Sequence, residues 1–218
     1  GRTGEARQVL MESLRALPES YDVFTHAAGF LIAAGEFREA AALIESRSLP
    51  QMESDPKIWV DLGICCRNLK DYDKARSAYE AALAVDPTYP VVHNNLGTLE
   101  LALLAEGRNP GAAGKAAAHF EKAIALDPGY AAAHYGLGQA RYRAGRLDEA
   151  IAAMTAAAAL DPGLLDAKFY LGLALYRQKR FAEALGPLVA YREKAGGDLD
   201  AADRKKLDGM IAECRARK

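Results

Sequence analysis

The sequence predicts an all-α chain, a solenoid of antiparallel helical hairpins, and three observations carry that prediction. A spaced pattern recurs: Trp59, Leu62, Gly63, Tyr72, Ala75, Tyr79, Ala82 and Pro87 are matched at identical spacing by His134, Leu137, Gly138, Leu147, Ala150, Met154, Ala157 and Pro162. Lys168, Leu171, Gly172, Phe181, Ala184 and Leu188 repeat it 34 residues further on. Self-similarity at that period marks stacked helical units that bury their apolar faces only against one another. The copies close with Asp86-Pro87, Asp127-Pro128 and Asp161-Pro162, where proline stops a helix and pushes the preceding residue toward extended geometry. Finally, 50% of the residues are hydrophobic, enough for a continuous core.

The copies follow in order as a single array over residues 1–218. Residues 4–18 read as the second half of a hairpin, with Ala6, Leu10, Leu14 and Pro18 where Ala40 and Ile44 fall in the next copy; such a beginning suggests a piece of a longer protein. Full repeats are expected at about 21–55, 56–89, 90–130, 131–164 and 165–196. The first has a longer connector over residues 47–55. The third carries about seven extra residues around Glu106, Gly107, Arg108, Asn109, Pro110 and Gly111, a period of 41; it is expected to be the longest hairpin, its extra residues extending the helix ends or the loop near Arg108, Asn109 and Pro110, and seven residues, two helical turns, keep the register. In the fifth, Gly186-Pro187 is expected to kink the second helix. Residues 198–217 read as an amphipathic capping helix, its apolar positions Leu199, Ala202, Leu207, Met210, Ile211 and Cys214. Twelve helices result: five hairpins, one helix before them and one after.

The small residues have a packing reason. Leu62-Gly63, Leu96-Gly97, Leu137-Gly138, Leu171-Gly172 and Ala27-Ala28 stand in register, and an interior glycine costs a helix ~1 kcal/mol against alanine. They should let the second helix approach closely. Ala40, Ala75, Ala116, Ala150 and Ala184 occupy the matching crossing point on the second helices. Turns fall at Gly35, Lys70-Asp71, Gly145 and Lys179, each followed by Phe37, Tyr72, Leu147 or Phe181 as a plug.

Composition narrows the function. There are 28 basic and 29 acidic residues, a net charge of -1, so no polycationic field exists for phosphate backbones and nucleic-acid binding is not expected. No stretch of ~18 apolar residues predicts membrane insertion. Cys65, Cys66 and Cys214 show no metal-type spacing; adjacent cysteines on a helix point ~100° apart, poor geometry for a mutual bridge. They read as small buried thiols, which suits a reducing compartment and favours the cytoplasm. His93 and His134 stand where Trp59 stands in the second repeat and read as structural; His26 is a candidate ligand contact. Neither phosphate-loop glycines nor a nucleophile-and-base grouping can be argued from spacing, so no catalytic residue, metal or cofactor is expected.

These repeated residues resemble the tetratricopeptide repeat (TPR) family over nearly the whole chain. The resemblance implies a right-handed superhelix with a concave groove lined by the first helix of each hairpin. In register, the groove positions are Thr25, Gly29 and Ile32; Val60, Ile64 and Arg67; Asn94, Thr98 and Leu101; Tyr135, Gln139 and Tyr142; Phe169, Leu173 and Tyr176. The Lys, Asn and Arg set with which chaperone-binding members hold a carboxylate is not reproduced, and of the Asn ladder of glycosyltransferase-linked members only Asn95 stands, among His26, Asp61, Gly136 and Tyr170. The expected function is a non-catalytic scaffold that binds a protein or peptide. The partner-binding residues are Tyr135, Gln139, Tyr142, Arg143, Phe169, Tyr170, Tyr176, Arg177, Asn94 and Asn95. Tyrosine and arginine are typical interface anchors; the competing reading packs these rings against their own helices. Two alternatives are a repeat region of a larger transferase- or sulfatase-type enzyme that positions its substrate, and a module that self-associates through an uncapped N-terminal end.

Overall fold

The computed structural model describes residues 2–46, 50–108, 111–195, 197 and 199–217. Among them stand twelve α-helices and no strand: α1 (Arg2–Ala16), α2 (Tyr21–Ala33), α3 (Phe37–Glu45), α4 (Pro56–Asn68), α5 (Tyr72–Val85), α6 (Pro90–Ala105), α7 (Ala112–Leu126), α8 (Ala131–Arg143), α9 (Leu147–Leu160), α10 (Leu165–Arg177), α11 (Phe181–Ala195) and α12 (Ala201–Ala216). A short 3₁₀ turn, Pro50–Glu53, precedes α4. The chain divides into two compact units, Gly1–Leu99 and Glu100–Lys218, with the division inside α6.

Local chemistry sets the helix ends. At each hairpin turn one residue takes a left-handed backbone: Gly35 (φ 76°), Lys70 (65°), Gly107 (69°), Gly145 (76°) and Lys179 (60°). The next N–H then reaches back to a carbonyl of the helix, Glu36 to Leu31 at 2.8 Å, Asp71 to Cys66 at 2.9 Å, Arg146 to Arg141 at 2.9 Å and Arg180 to Leu175 at 3.0 Å. This is the Schellman closure, which glycine enters without steric cost. A left-handed lysine costs roughly 1–2 kcal/mol, partly offset because glycine loses ~0.4–1 kcal/mol more entropy on folding. Lys70→Gly and Lys179→Gly should therefore each raise the thermal midpoint slightly; a lowered midpoint would contradict this account of the turns. Where the hairpins close, the aspartate turns its carboxylate onto the N–H two residues on, Asp86 to Thr88, Asp127 to Gly129 and Asp161 to Gly163, at 2.8–3.0 Å. Proline between them has no N–H of its own to satisfy.

The third hairpin is the longest among the described residues, and the extra residues go partly into its helices and partly into its loop, as expected. α6 has 16 residues where α8 has 13, and α7 has 15 where α9 has 14. The remaining extra residues lengthen the connector, of which Asn109 and Pro110 lie outside the described residues. So do residues 47–49 of the first connector, and Gly196 and Asp198 at the expected edges of the fifth repeat and cap. The cap helix starts at Ala201, where the Asp200 carboxylate accepts the Asp203 N–H at 2.8 Å. α11 runs on through Pro187.

In the first unit, Gly63 fills the role expected of it in a specific way. A Cβ there would lie 2.3 Å from the Tyr79 ring, so the glycine is a notch for a side chain 16 positions on. Tyr79, Phe24 and Ala75 are fully buried, and Ala40 and Ile44 with them. Val60, assigned to the groove by spacing, is only 3% exposed and belongs to this core. In the second unit the same notch recurs: a Cβ on Gly138 would meet Met154 at 2.7 Å and one on Gly172 would meet Leu188 at 2.6 Å. Gly136 receives the Phe120 ring of α7, at 2.2 Å from where its Cβ would be. Leu101, another position assigned to the groove, packs with Ala116, Ala117 and Phe120 in the core.

The cysteines are buried and free. Burial pushes the Cys65 thiol up from 9.0 to about 12 and the Tyr79 hydroxyl up from 10.0 to about 12. Both hold their protons more tightly folded than unfolded. Their stabilisation is complete below pH 9 and is lost as pH rises through about 12. Urea midpoints should therefore fall as pH rises above 9, and fall less steeply in Cys65→Ala; an identical slope in that variant would refute the assignment.

Candidate functional site

The aromatic residues singled out in the sequence fall mainly on α8 and α10, in the second unit. Successive first helices place them on one side because residues three and four apart share a helix face. Tyr170 is the hub. Its ring meets Tyr135 edge-on at 6.0 Å, Tyr142 at 5.6 Å and the neighbouring Phe169 at 5.8 Å. Gln139 donates to the Tyr135 hydroxyl at 2.6 Å. The guanidinium of Arg177 lies 4.4 Å over the Tyr142 ring. All four rings are half-buried, whereas Arg143 and Arg177 are exposed. Neither arginine has an ion-pair partner among the described residues.

Electrostatics are those of a surface with neutral donors and two free cations. Burial pushes the hydroxyls of Tyr135 and Tyr142 above the usual tyrosine range. Both stay protonated at neutral pH and can donate to a ligand.

Residues outside the first helices also join this face. Tyr191, on the second helix α11, stacks on Phe169 at 4.6 Å. α12 then adds its own side: Phe169, Leu173, Tyr191, Leu199, Leu207 and Met210 wall an apolar pocket of about 380 Å³, with Asp203 and Lys206 also lining it. The spacing of Leu199, Asp203, Lys206 and Met210 on one face of the cap was the available signal.

Tyr176 takes a different place. It stands in the repeat where Tyr142 stands, and like Tyr142 it turns to the next helix of the stack. There that neighbour is α12: the Tyr176 hydroxyl donates to the Glu213 carboxylate and its ring meets Phe181 edge-on at 5.5 Å. The hydrogen bond to Glu213 holds this hydroxyl above the usual range. Tyr176 thus helps attach the cap, and the open aromatic face does not include it. Arg217 lies 5.4 Å over Phe181, and Leu175 and Leu188 pack with Leu207, Ile211 and Cys214 under the same cap.

Asn94 and Asn95 lie on α6 in the first unit. The Asn95 amide donates to the Val91 carbonyl at 2.9 Å and is 8% exposed, so its polar group is used within its own helix. The Asn94 carbonyl accepts from Thr98 at 2.9 Å. His26 is exposed, its Nδ1 2.7 Å from the Asp22 carbonyl oxygen. His134 Nε2 lies 3.0 Å from the Pro128 carbonyl oxygen, just as Lys168 donates to the Pro162 carbonyl at 2.6 Å, so this repeated position ties a helix to the preceding closure. Among the described residues no cluster of three or more His, Cys, Asp or Glu is placed to hold a metal, and no helix is long and apolar enough to cross a membrane.

Repeated notches, Schellman turns and Asp-Pro closures are the features of one repeat family, and the family models agree. A tetratricopeptide repeat model matches residues 101–164 and 165–198, and a second tetratricopeptide repeat model matches residues 56–89. The chain belongs to the tetratricopeptide repeat family. No curated protein matches it. Among solved structures it is similar to PilW, a widely conserved type IV pilus biogenesis factor, at 23% identity and a TM-score of 0.72, covering 90% of this chain and 86% of that one. TTC0263, a thermophilic TPR protein of Thermus thermophilus, is similar at 22% identity and a TM-score of 0.68, covering 90% of this chain and 100% of that one. YrrB, a TPR protein with an unusual peptide-binding site, is similar at 21% identity and a TM-score of 0.55, covering 84% of this chain and 91% of that one. These likenesses show the TPR fold: an all-α solenoid of antiparallel hairpins.

Proposed function

We propose that this TPR chain is a non-catalytic scaffold that holds a peptide or protein segment on the face formed by α8 and α10. The single observation that supports this reading most is the half-buried ring cluster of Tyr135, Tyr142, Phe169 and Tyr170, with unpaired Arg177 resting on it. A structural aromatic core would be closed over. Here the rings retain exposed surface and the cations beside them are free, the composition of an interface anchor. Rings with few rotatable bonds lose little entropy on binding, which makes them efficient contact surfaces. Asn94 and Asn95 lie in the first unit and are proposed as partner contacts of that unit alone, with the Asn95 amide already satisfied by Val91. Peptide binding by the similar YrrB is consistent with the reading.

The test starts from the intact chain. Random 12-residue peptides are selected by display, synthesised, and titrated into protein carrying fluorine-labelled tyrosine. Signals of Tyr135, Tyr142 and Tyr170 should shift together at saturation, while those of Tyr21 and Tyr79 stay in place. Binding that moves only first-unit tyrosines would overturn the assignment to this face.

A further inference from the structure

The pocket under α12 gives the proposed partner a more specific chemistry. Its walls are apolar, contributed by Phe169 and Leu173 of α10, Tyr191 of α11, and Leu199, Leu207 and Met210 beside or on α12. The two charges that line it, Asp203 and Lys206, are ion-paired with each other at 3.0 Å. The pocket therefore presents little net charge, and its volume of about 380 Å³ is enough for one large side chain with room around it. A single buried side chain of this size is typical of an interface anchor.

Phe169 belongs to both the pocket and the aromatic face, so the two are continuous. From its ring the path runs 5.8 Å to Tyr170, 5.6 Å to Tyr142 and 4.4 Å to the Arg177 guanidinium, which bounds the span at about 16 Å. An extended chain rises ~3.3 Å per residue, so that span takes about five residues. The charges also have an order. Asp166 lies close enough to Tyr135 and Tyr191, and Asp203 close enough to Tyr191, to disfavour ionisation of those hydroxyls. A carboxylate beside the pocket would meet Asp166 and a lysine already paired with Asp203, whereas at the far end it would meet Arg177, which has no ion-pair partner among the described residues.

Resting on the scaffold reading above, we infer that the pocket between α10, α11 and α12 seats one bulky aliphatic or aromatic side chain of a peptide segment, and that an Asp or Glu of that segment, within about five residues of the anchor, pairs with Arg177. The cap helix is then part of the binding site and supplies its apolar selectivity. Apolar burial provides the anchor, and the free arginine fixes direction and register along the face.

The experiment uses display-selected 12-residue peptides against the full chain, with Kd read by fluorescence anisotropy. Selected sequences should share a Leu, Met or Phe and an acidic residue within about five positions of it. Replacing that apolar residue by Ala, or Met210→Gln together with Leu199→Gln in the protein, should each weaken binding by about tenfold or more, with little further loss when combined. Arg177→Gln should weaken acidic peptides but not their Glu→Gln versions, and circular dichroism should show unchanged helicity in both variants. Peptides that lose affinity in Tyr142→Ala/Tyr170→Ala but not in the Met210 and Leu199 variant would overturn the anchor pocket and leave the groove standing. Peptides indifferent to both sets, or a selection that yields no binder, would overturn both readings.

Discussion

Ala116→Leu, Ala150→Leu and Ala75→Leu are expected to destabilise the fold by about 1–3 kcal/mol each. All three alanines are 0% exposed. They stand where the second helix of a hairpin crosses the first, one turn from the residue that fills the glycine notch. Ala116 packs with Leu101, Ala117, Phe120 and Ala140. Interiors packed to crystal-like density have no space for an isobutyl group, so either the rotamer strains or the helices part. For a chain of this size each kcal/mol moves a thermal midpoint by roughly 2–4 °C. Midpoints unchanged in all three variants would show that the crossings are looser than described.

Glycine to alanine is expected to change sign with position, and this contrast is the second large effect. Gly136→Ala would put a Cβ 2.2 Å from Phe120, and Gly63→Ala would put one 2.3 Å from Tyr79. Both rings are rigid and essentially fully buried. Their displacement should outweigh the ~1 kcal/mol that alanine gains in a helix, giving a net loss of about 1–2 kcal/mol. Gly114 on α7 and Gly209 on α12 have nothing within 4 Å of the same construction. There alanine should stabilise by about 0.5–1 kcal/mol. Chemical denaturation of the four variants checks the pattern; four changes of the same sign would refute the notch account.

The hairpins were legible because their determinants are local. A 34-residue offset, a small residue before a large one 16 positions on, and a turn residue at fixed distance all survive in the linear sequence. Lys70 and Lys179 could be placed at turns only through the repeat, since lysine alone gives no such signal. The distribution of the seven extra residues was not legible: a sequence count does not say whether added residues wind into helix or widen a connector. The face was legible in part. Tyr135, Tyr142, Phe169 and Tyr170 follow from helix spacing, whereas Val60 and Leu101 sit at equivalent spacing yet are buried. Spacing gives an angle around the helix axis but not how far neighbouring helices wrap that angle. Tyr176 shows the same limit, since its partner Glu213 lies on the cap, 37 residues away and outside the repeat pattern. Tyr191 was missed because it reaches the face from a second helix.

The proposed partner would contact the exposed sides of Tyr142 and Tyr170, and one titration tests this most directly. Peptides selected against the wild-type chain are titrated into Tyr142→Ala/Tyr170→Ala, with far-ultraviolet circular dichroism recorded on the same samples. Tyr176→Ala would also loosen α12, through the lost bond to Glu213, so Tyr142 and Tyr170 are the positions changed. A rise in Kd of about tenfold or more at unchanged helicity is the predicted result, the usual size for removal of central aromatic anchors. A Kd within twofold of wild type in the folded variant would contradict the account.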